Sequence, residues 1–223
     1  MTINIYSGPF TRYFSGLWKK EVHQNKSQEK KEYHLASPIS EDNANKPLDE
    51  MEISKITENW LSFLERSLDT VFILNEDDSV PYFTSRFNEY SNLYRASSYV
   101  LSPEIDLSIF KDQELRKNEE ENQDFLFFRD VEAWFPVNLP GSGISEIYFP
   151  NDTKKIISTT HRLIRELENV AERIVNKPLS ELEENYYSLN EEELYWTDST
   201  GLLTLYKHAQ FSLEHNVPII IDY

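Results

Sequence analysis

The sequence predicts an α+β fold: a single domain spanning residues 1–223, with a mixed or antiparallel sheet, a central hairpin and four to five helices. Three observations lead there. Helical and strand-like periodicities are mixed along the chain. Two aromatic, β-rich runs, Phe125–Phe135 and Ile144–Phe149, sit mid-chain around a Pro-Gly-Ser-Gly connector. Isoleucine-rich segments at both ends, Ile3 and Ile5 and then Ile219–Ile221, read as strands able to pair with each other.

Taken in order, residues 2–6 alternate apolar and polar as a strand does, and Gly8-Pro9 stops them. The stretch Asn25–Asn45 is polar, with a short strand expected at Tyr33–Ala36. Ile53, Ile56, Trp60, Leu64 and Leu68 recur at three- and four-residue spacing and predict an amphipathic helix over 49–68. Val71–Leu74 reads as a brief strand. Thr84 or Ser85 is placed to cap a second helix carrying Phe87, Tyr90, Tyr94 and Leu101, which Pro103 ends. Lys111–Asp124 is almost wholly charged or amide-bearing, a solvated stretch and the candidate internal boundary.

The two β-rich runs are expected to form an antiparallel hairpin through Leu139–Gly143. Asn151 or Asp152 is then the expected cap of a helix containing Ile156, Ile157, Leu163, Ile164, Leu167, Val170 and Ile174, ended before Pro178. A short acidic helix follows at 179–188. Ser199 or Thr200 begins a last helix, with Leu202, Leu205, Tyr206, Ala209 and Leu213 inward, and Asn216 and Pro218 close it ahead of a final strand at 218–223. No internal repeat is evident.

Composition narrows the function classes. Asp and Glu number 39 against 22 Lys and Arg, a formal charge of −17, which repels nucleic acid and attracts basic partners. The only basic concentration, Lys19, Lys20, Lys26, Lys30 and Lys31, is interrupted by Glu21 and Glu29. Hydrophobic residues make up 39%, a low share, but 13% are aromatic, which favours a packed core over disorder. Cys is absent, so disulfides, thiolate catalysis and Cys-ligated zinc are excluded. The opening lacks the basic and apolar regions of a secretory signal, and no apolar run approaches the roughly 20 residues that span a bilayer. A soluble, cytoplasmic protein with no membrane partner is therefore expected.

Residue patterns that carry chemistry are few. His208 and His215, seven apart on one predicted helix, are separated by about 10.5 Å along its axis, too far to share a metal ion. His161 stands beside Arg162 and Arg165. No metal and no cofactor are expected. Gly141-Ser142-Gly143 lacks the spacing of a nucleophile elbow or a phosphate cradle and reads as a turn. The runs around Glu181, Glu183, Glu184 and Glu191–Glu193 are solvated faces, unlike the apolar pocket that raises a catalytic carboxyl. No residue is singled out as catalytic.

The segment Tyr6–Trp18 is different. It packs a Gly-Pro turn, Arg12 between Thr11 and Tyr13, several rings and Gly16 into thirteen residues. Arg12 with hydroxyls beside it has the makings of an anion-binding fork. The plainer reading is an aromatic corner that locks the first strand to the core. A ligand-binding grouping would add Arg129, Asp130 and Glu132, with Trp134, Tyr195 and Trp196 as aromatic walls. The candidate binding residues are thus Arg12, Tyr13, Thr11, Arg129, Glu132, Trp134 and Trp196.

Gly8, Pro9, Thr11, Arg12, Tyr13, Gly16 and Trp18 also carry a resemblance. The opening is similar to that of a family of uncharacterised bacterial proteins which begin with a strand followed by Gly-Pro-x-Thr-Arg-Tyr-x-x-Gly-x-Trp. The stretches Val131–Pro136 and Pro218–Tyr223 look similar as well. The resemblance covers about a fifth of the chain and implies an intact member of the family but no activity. Two functions are therefore expected in competition. One is an acidic protein-interaction module, such as an immunity protein or antitoxin that neutralises a basic partner. The alternative is a small-molecule-binding protein or enzyme with a pocket around Arg12 and Tyr13.

Overall fold

The computed structural model describes residues 3–16, 18, 21–24, 30–33, 49–77, 79–87, 131–139, 143–172, 177–184 and 196–222. For Ile3, 21–24, 30–33, 86–87 and 196–200 the description is of the backbone alone. In chain order the elements are β1 (Ile3–Ser7), α1 (Phe10–Ser15), β2 (Glu21–Gln24), β3 (Lys30–Tyr33), α2 (Glu50–Leu68), β4 (Phe83–Phe87), β5 (Ala133–Phe135), β6 (Ile144–Tyr148), β7 (Lys154–Thr159), α3 (Thr160–Val170), α4 (Leu179–Glu184), α5 (Trp196–His215) and β8 (Ile219–Asp222).

Six strands form one open mixed sheet in the order β4-β1-β8-β5-β7-β6, while β2 and β3 pair separately. The α+β class expected from the sequence is what the molecule has. The two isoleucine-rich segments do pair, antiparallel, with Ile5 opposite Ile221 and Ser7 opposite Ile219. On its other side β8 meets β5, with Ala133 opposite Ile220 and Trp134 opposite Ile219. The pleat then sorts side chains between two cores. Ile5, Trp134, Ile219 and Ile221 face α3, α4 and α5, where Leu163, Leu167, Leu182, Leu202 and Leu205 are buried. Tyr6, Ala133 and Ile220 point the opposite way, onto α1 and α2, with Phe10, Phe14, Trp60, Leu64, Phe135 and Phe149. An unbroken Ile-Ile-Ile run is therefore what a central strand covered on both faces requires.

Several sequence expectations need correction. Thr84 and Ser85 do not cap a helix; they lie in edge strand β4, paired with Tyr6 and Ile5 of β1. Tyr90, Tyr94, Leu101 and Pro103 lie outside the described residues, as do 34–36, 111–130, 140–142 and 185–195. The hairpin exists one strand later than expected. β6 pairs antiparallel with β7, and β7 lies between it and β5, to which β7 is parallel. Asn151 and Asp152 build the turn of that hairpin instead of capping a helix. Asp152 adopts φ 59°, and Phe149 N donates to Thr153 O at 2.9 Å. Short polar side chains serve turns and caps alike, which is why the two readings compete. The helix begins only at Thr160, and the capping oxygen is Thr159 Oγ1, which accepts from Arg162 N. Val71–Leu74 joins neither sheet.

Two helices match the expectations closely. α2 covers 50–68 with Ile53, Trp60 and Leu64 buried, and Asp69 ends it in the left-handed region at φ 48°. α5 starts at Trp196, earlier than expected, and Asn216 closes it at φ 56° before β8. The six-residue α1 was not anticipated. Pro9 precedes it and Gly16 ends it at φ 70°, with Gly16 N donating to Tyr13 O.

Candidate functional site

The segment from Tyr6 to Trp18 forms the aromatic corner. Tyr6 ends up under α1, its ring 5.5 Å from Tyr13 and 4.9 Å from Trp18, while Tyr13 and Trp18 stack at 5.6 Å. Tyr6 Oη donates to Pro9 O at 2.8 Å, and Trp18 Nε1 donates to Tyr13 O at 3.1 Å, so the buried polar tips of both rings are satisfied within the corner. Burial holds the Tyr6 phenol well above its ordinary pKa. Gly8 is required by close approach: a Cβ there would stand 2.6 Å from Tyr6 Oη and 2.7 Å from Tyr82 Cβ.

A strap of residues 69–77 and 79–82 crosses this corner and ties it to α2. Its Glu76 carboxylate accepts from Phe10 N at 3.1 Å and Thr11 N at 3.0 Å, occupying the amides at the start of α1. Half-buried Arg12 donates from Nη1 to Val80 O at 3.3 Å and lies over the Tyr82 ring, 5.1 Å from its centroid. Phe72 packs edge-on against Phe135 at 5.2 Å. Arg12 thus braces strap and corner together, while Thr11 turns its hydroxyl inward, buried and with no hydrogen-bond partner among the described residues.

Tyr13 leads to a second, charged group at one end of the sheet. Its hydroxyl donates to Asp222 Oδ1 at 3.1 Å, joining α1 to the end of β8. Beside β5, Glu132 Oε1 meets Lys155 Nζ at 3.2 Å, and Glu132 Oε2 accepts from Ile156 N at 3.3 Å. Lys155 also lies 5.5 Å from the Phe149 ring centroid. Burial first, and then the charge of Asp222 and its hydrogen bond, push the Tyr13 hydroxyl well above its usual pKa, with Glu132 adding to the effect. The phenol stays protonated and acts as a donor.

On the opposite side of the sheet, buried His208 of α5 bridges two strands. Nδ1 lies 2.7 Å from Ser7 Oγ of β1 and Nε2 lies 3.0 Å from Ser85 Oγ of β4. Phe83 covers the ring at 4.4 Å. With hydroxyls as its hydrogen-bond partners, burial pushes the imidazole down to about 3, so it is neutral at ordinary pH. One turn on, Ser212 Oγ donates to Val217 O at 2.6 Å and meets Thr160 Oγ1 at 3.1 Å. These groups fasten α5 to the sheet.

Of the sequence-predicted binding residues, Thr11, Arg12 and Tyr13 fall together on α1, and Glu132 comes into electrostatic reach of Tyr13. Trp134 does not join them. It belongs to the core on the α3–α5 side, with Nε1 buried and without a hydrogen-bond partner among the described residues. Trp196 opens α5, but its side chain lies outside the description, as do Arg129, Asp130 and Tyr195 entirely. The residues missed by sequence reasoning are Glu76, Lys155 and Asp222. Only Asp222, an isolated acid closing an apolar strand, left a local signal. Among the described residues, no group of three His, Asp or Glu side chains is disposed to hold a metal ion, and no helix is long and apolar enough to cross a membrane.

Charge is the broadest property of the outer surface. Glu50, Glu52 and Glu58 of α2, Glu168 and Glu172 at the end of α3, Glu181 and Glu184 of α4, and Glu214 of α5 are all exposed. The exposed cations among the described residues are Lys55, Arg66, Lys154, Arg165 and Lys177. Lys154 already meets Glu146 at 2.6 Å, and Lys177 meets Glu181 at 3.7 Å. Comparison with protein-family models, with curated proteins and with solved structures finds no match for this chain.

Proposed function

We propose that this protein is an acidic interaction module that binds and neutralises a basic protein partner inside the cell, in the manner of an immunity protein or antitoxin. The observation that carries the reading is the distribution of charge: −17 overall, with carboxylates outnumbering cations on the described helical faces and two of the five exposed cations among the described residues already paired. A field of that sign speeds encounter with a cationic protein and rejects acidic competitors and nucleic acid. Three of the candidate ligand-binding side chains have structural employment. Arg12 braces the strap, Tyr13 anchors Asp222, and Glu132 is paired with Lys155.

The test is co-expression with, and affinity capture of, basic proteins from the native host across a salt series. A basic protein retained at low ionic strength, released as salt rises and rendered harmless by co-expression is the expected result. Retention indifferent to ionic strength, or no loss of the partner's activity on binding, would sink the reading.

A further inference from the structure

The strap after α2 presents an unusual row of side chains. From residue 69 to 77 exposure alternates along the chain, and the odd-numbered residues all face solvent: Asp69, Val71, Ile73, Asn75 and Asp77. The even-numbered ones turn inward, with Phe72 buried and Glu76 bound to the α1 amides. Val71 is 69% and Ile73 72% exposed, large values for β-branched apolar residues two positions apart on one edge. Asp69 precedes the pair by two residues, and Asp77 follows it by four, beyond the exposed Asn75.

This row is held in place. Phe72 N donates to Glu65 Oε1 at 3.0 Å on the α2 side. Asn75 N donates to Asn216 O at 2.9 Å on the α5–β8 side, where Asn216 Nδ2 also donates to Ile73 O. Val80 N bonds back to Asp77 O at 3.0 Å, closing the turn that follows. A partner meeting this edge finds its apolar pair already ordered, so little conformational entropy is lost on binding. Glu58, exposed and two helical turns before Glu65, adds acid on the flank of α2 that carries the strap.

We infer that the Asp69–Asp77 edge is the docking surface for the basic partner, and that the matching patch on that partner is an apolar pair flanked on both sides by Lys or Arg. The inference rests on the acidic-module reading and sharpens it. Charge alone would spread a cationic partner over every acidic face, whereas apolar side chains in a row that begins and ends with a carboxylate select one place and one register.

The experiment uses the full chain, isotopically labelled for amide NMR, and two short synthetic peptides of equal charge. One carries two leucines, two positions apart, between flanking lysines; the other has both leucines replaced by serine. The leucine peptide is expected to perturb the amides of residues 69–77 and to bind about tenfold more weakly to Val71→Ser/Ile73→Ser, a loss of about 1.4 kcal/mol. Asp69→Asn/Asp77→Asn should weaken it too and flatten its salt dependence, whereas Glu168→Gln/Glu172→Gln should leave it unchanged. The serine peptide should bind weakly and without preference for this edge. If both peptides bind alike and neither strap variant matters, the docking surface is wrong while the acidic module stands. If neither peptide perturbs any amide, the surface fails and the parent reading loses its support as well.

Discussion

Arg12 illustrates how a residue that looks ready for a ligand can be spent on structure. Its guanidinium donates to Val80 O and covers Tyr82, so truncation removes a charged hydrogen bond and a cation–π contact at a half-buried site. Arg12→Ala is expected to cost about 1–3 kcal/mol in urea-melt stability, with Arg12→Lys recovering part of it. An unchanged midpoint would return Arg12 to the list of ligand-binding candidates. His208 gives a prediction in pH. Its folded pKa of about 3 lies below the unfolded value of about 6.5. Above pH 6.5 both states are neutral and this group contributes no pH dependence. Between 6.5 and 3 the unfolded chain takes up a proton that the folded one refuses, so stability falls as pH falls. The stability advantage of wild type over His208→Gln should therefore shrink between pH 7 and pH 4. An advantage that stays constant over that range would show that His208 is not held neutral by the fold.

At the level of elements, β8 holds the sheet together, because β1 pairs with one of its edges and β5 with the other. Removing the chain from Ile219 onward deletes three fully buried isoleucines, each worth roughly 1.5–3 kcal/mol, and strands the ladder groups of β1 and β5. The truncated protein is expected to lose its cooperative thermal transition. A melt within a few degrees of the intact chain would refute the central role of β8. This strand was legible in the sequence because three consecutive isoleucines bounded by Pro218 and Asp222 leave few alternatives. α2 was legible for a similar reason, its apolar residues from Ile53 to Leu68 keeping three- and four-residue spacing over about four turns. β7 was not: Lys154-Lys155 followed by Ile156-Ile157 and a genuine helical stripe merges strand and helix into one apparent period. Nor was the charged end of the sheet. Tyr13 of α1, Glu132 just before β5, Lys155 of β7 and Asp222 of β8 lie far apart in the chain, and only the register of β5, β7 and β8 brings them near one another. The Thr-Arg-Tyr triplet attracted notice by local composition, and that says nothing about which way each side chain turns.

For the whole molecule, self-repulsion at −17 is the dominant long-range effect. Added monovalent salt should raise the melting temperature through the range where the screening length falls to about 10 Å, near 0.1 M. A midpoint that does not move, or moves down, would mean that the described ion pairs outweigh the repulsion. The order of the sheet bears on how the molecule is assembled. β4 and β1 come early in the chain, β5, β6 and β7 come later, and the two groups have no strand pairing with each other; β8, after all of them, lies between. During synthesis the early pair must therefore wait with one edge of β1 open, and the later trio must wait with one edge of β5 open, until the final strand slots between them. An exposed strand edge invites association with other chains, and closure over so long a sequence separation is slow. Ribosome-bound chains that stop short of Ile219 should be the species that chaperones hold, and release past β8 should be the moment at which protease resistance appears.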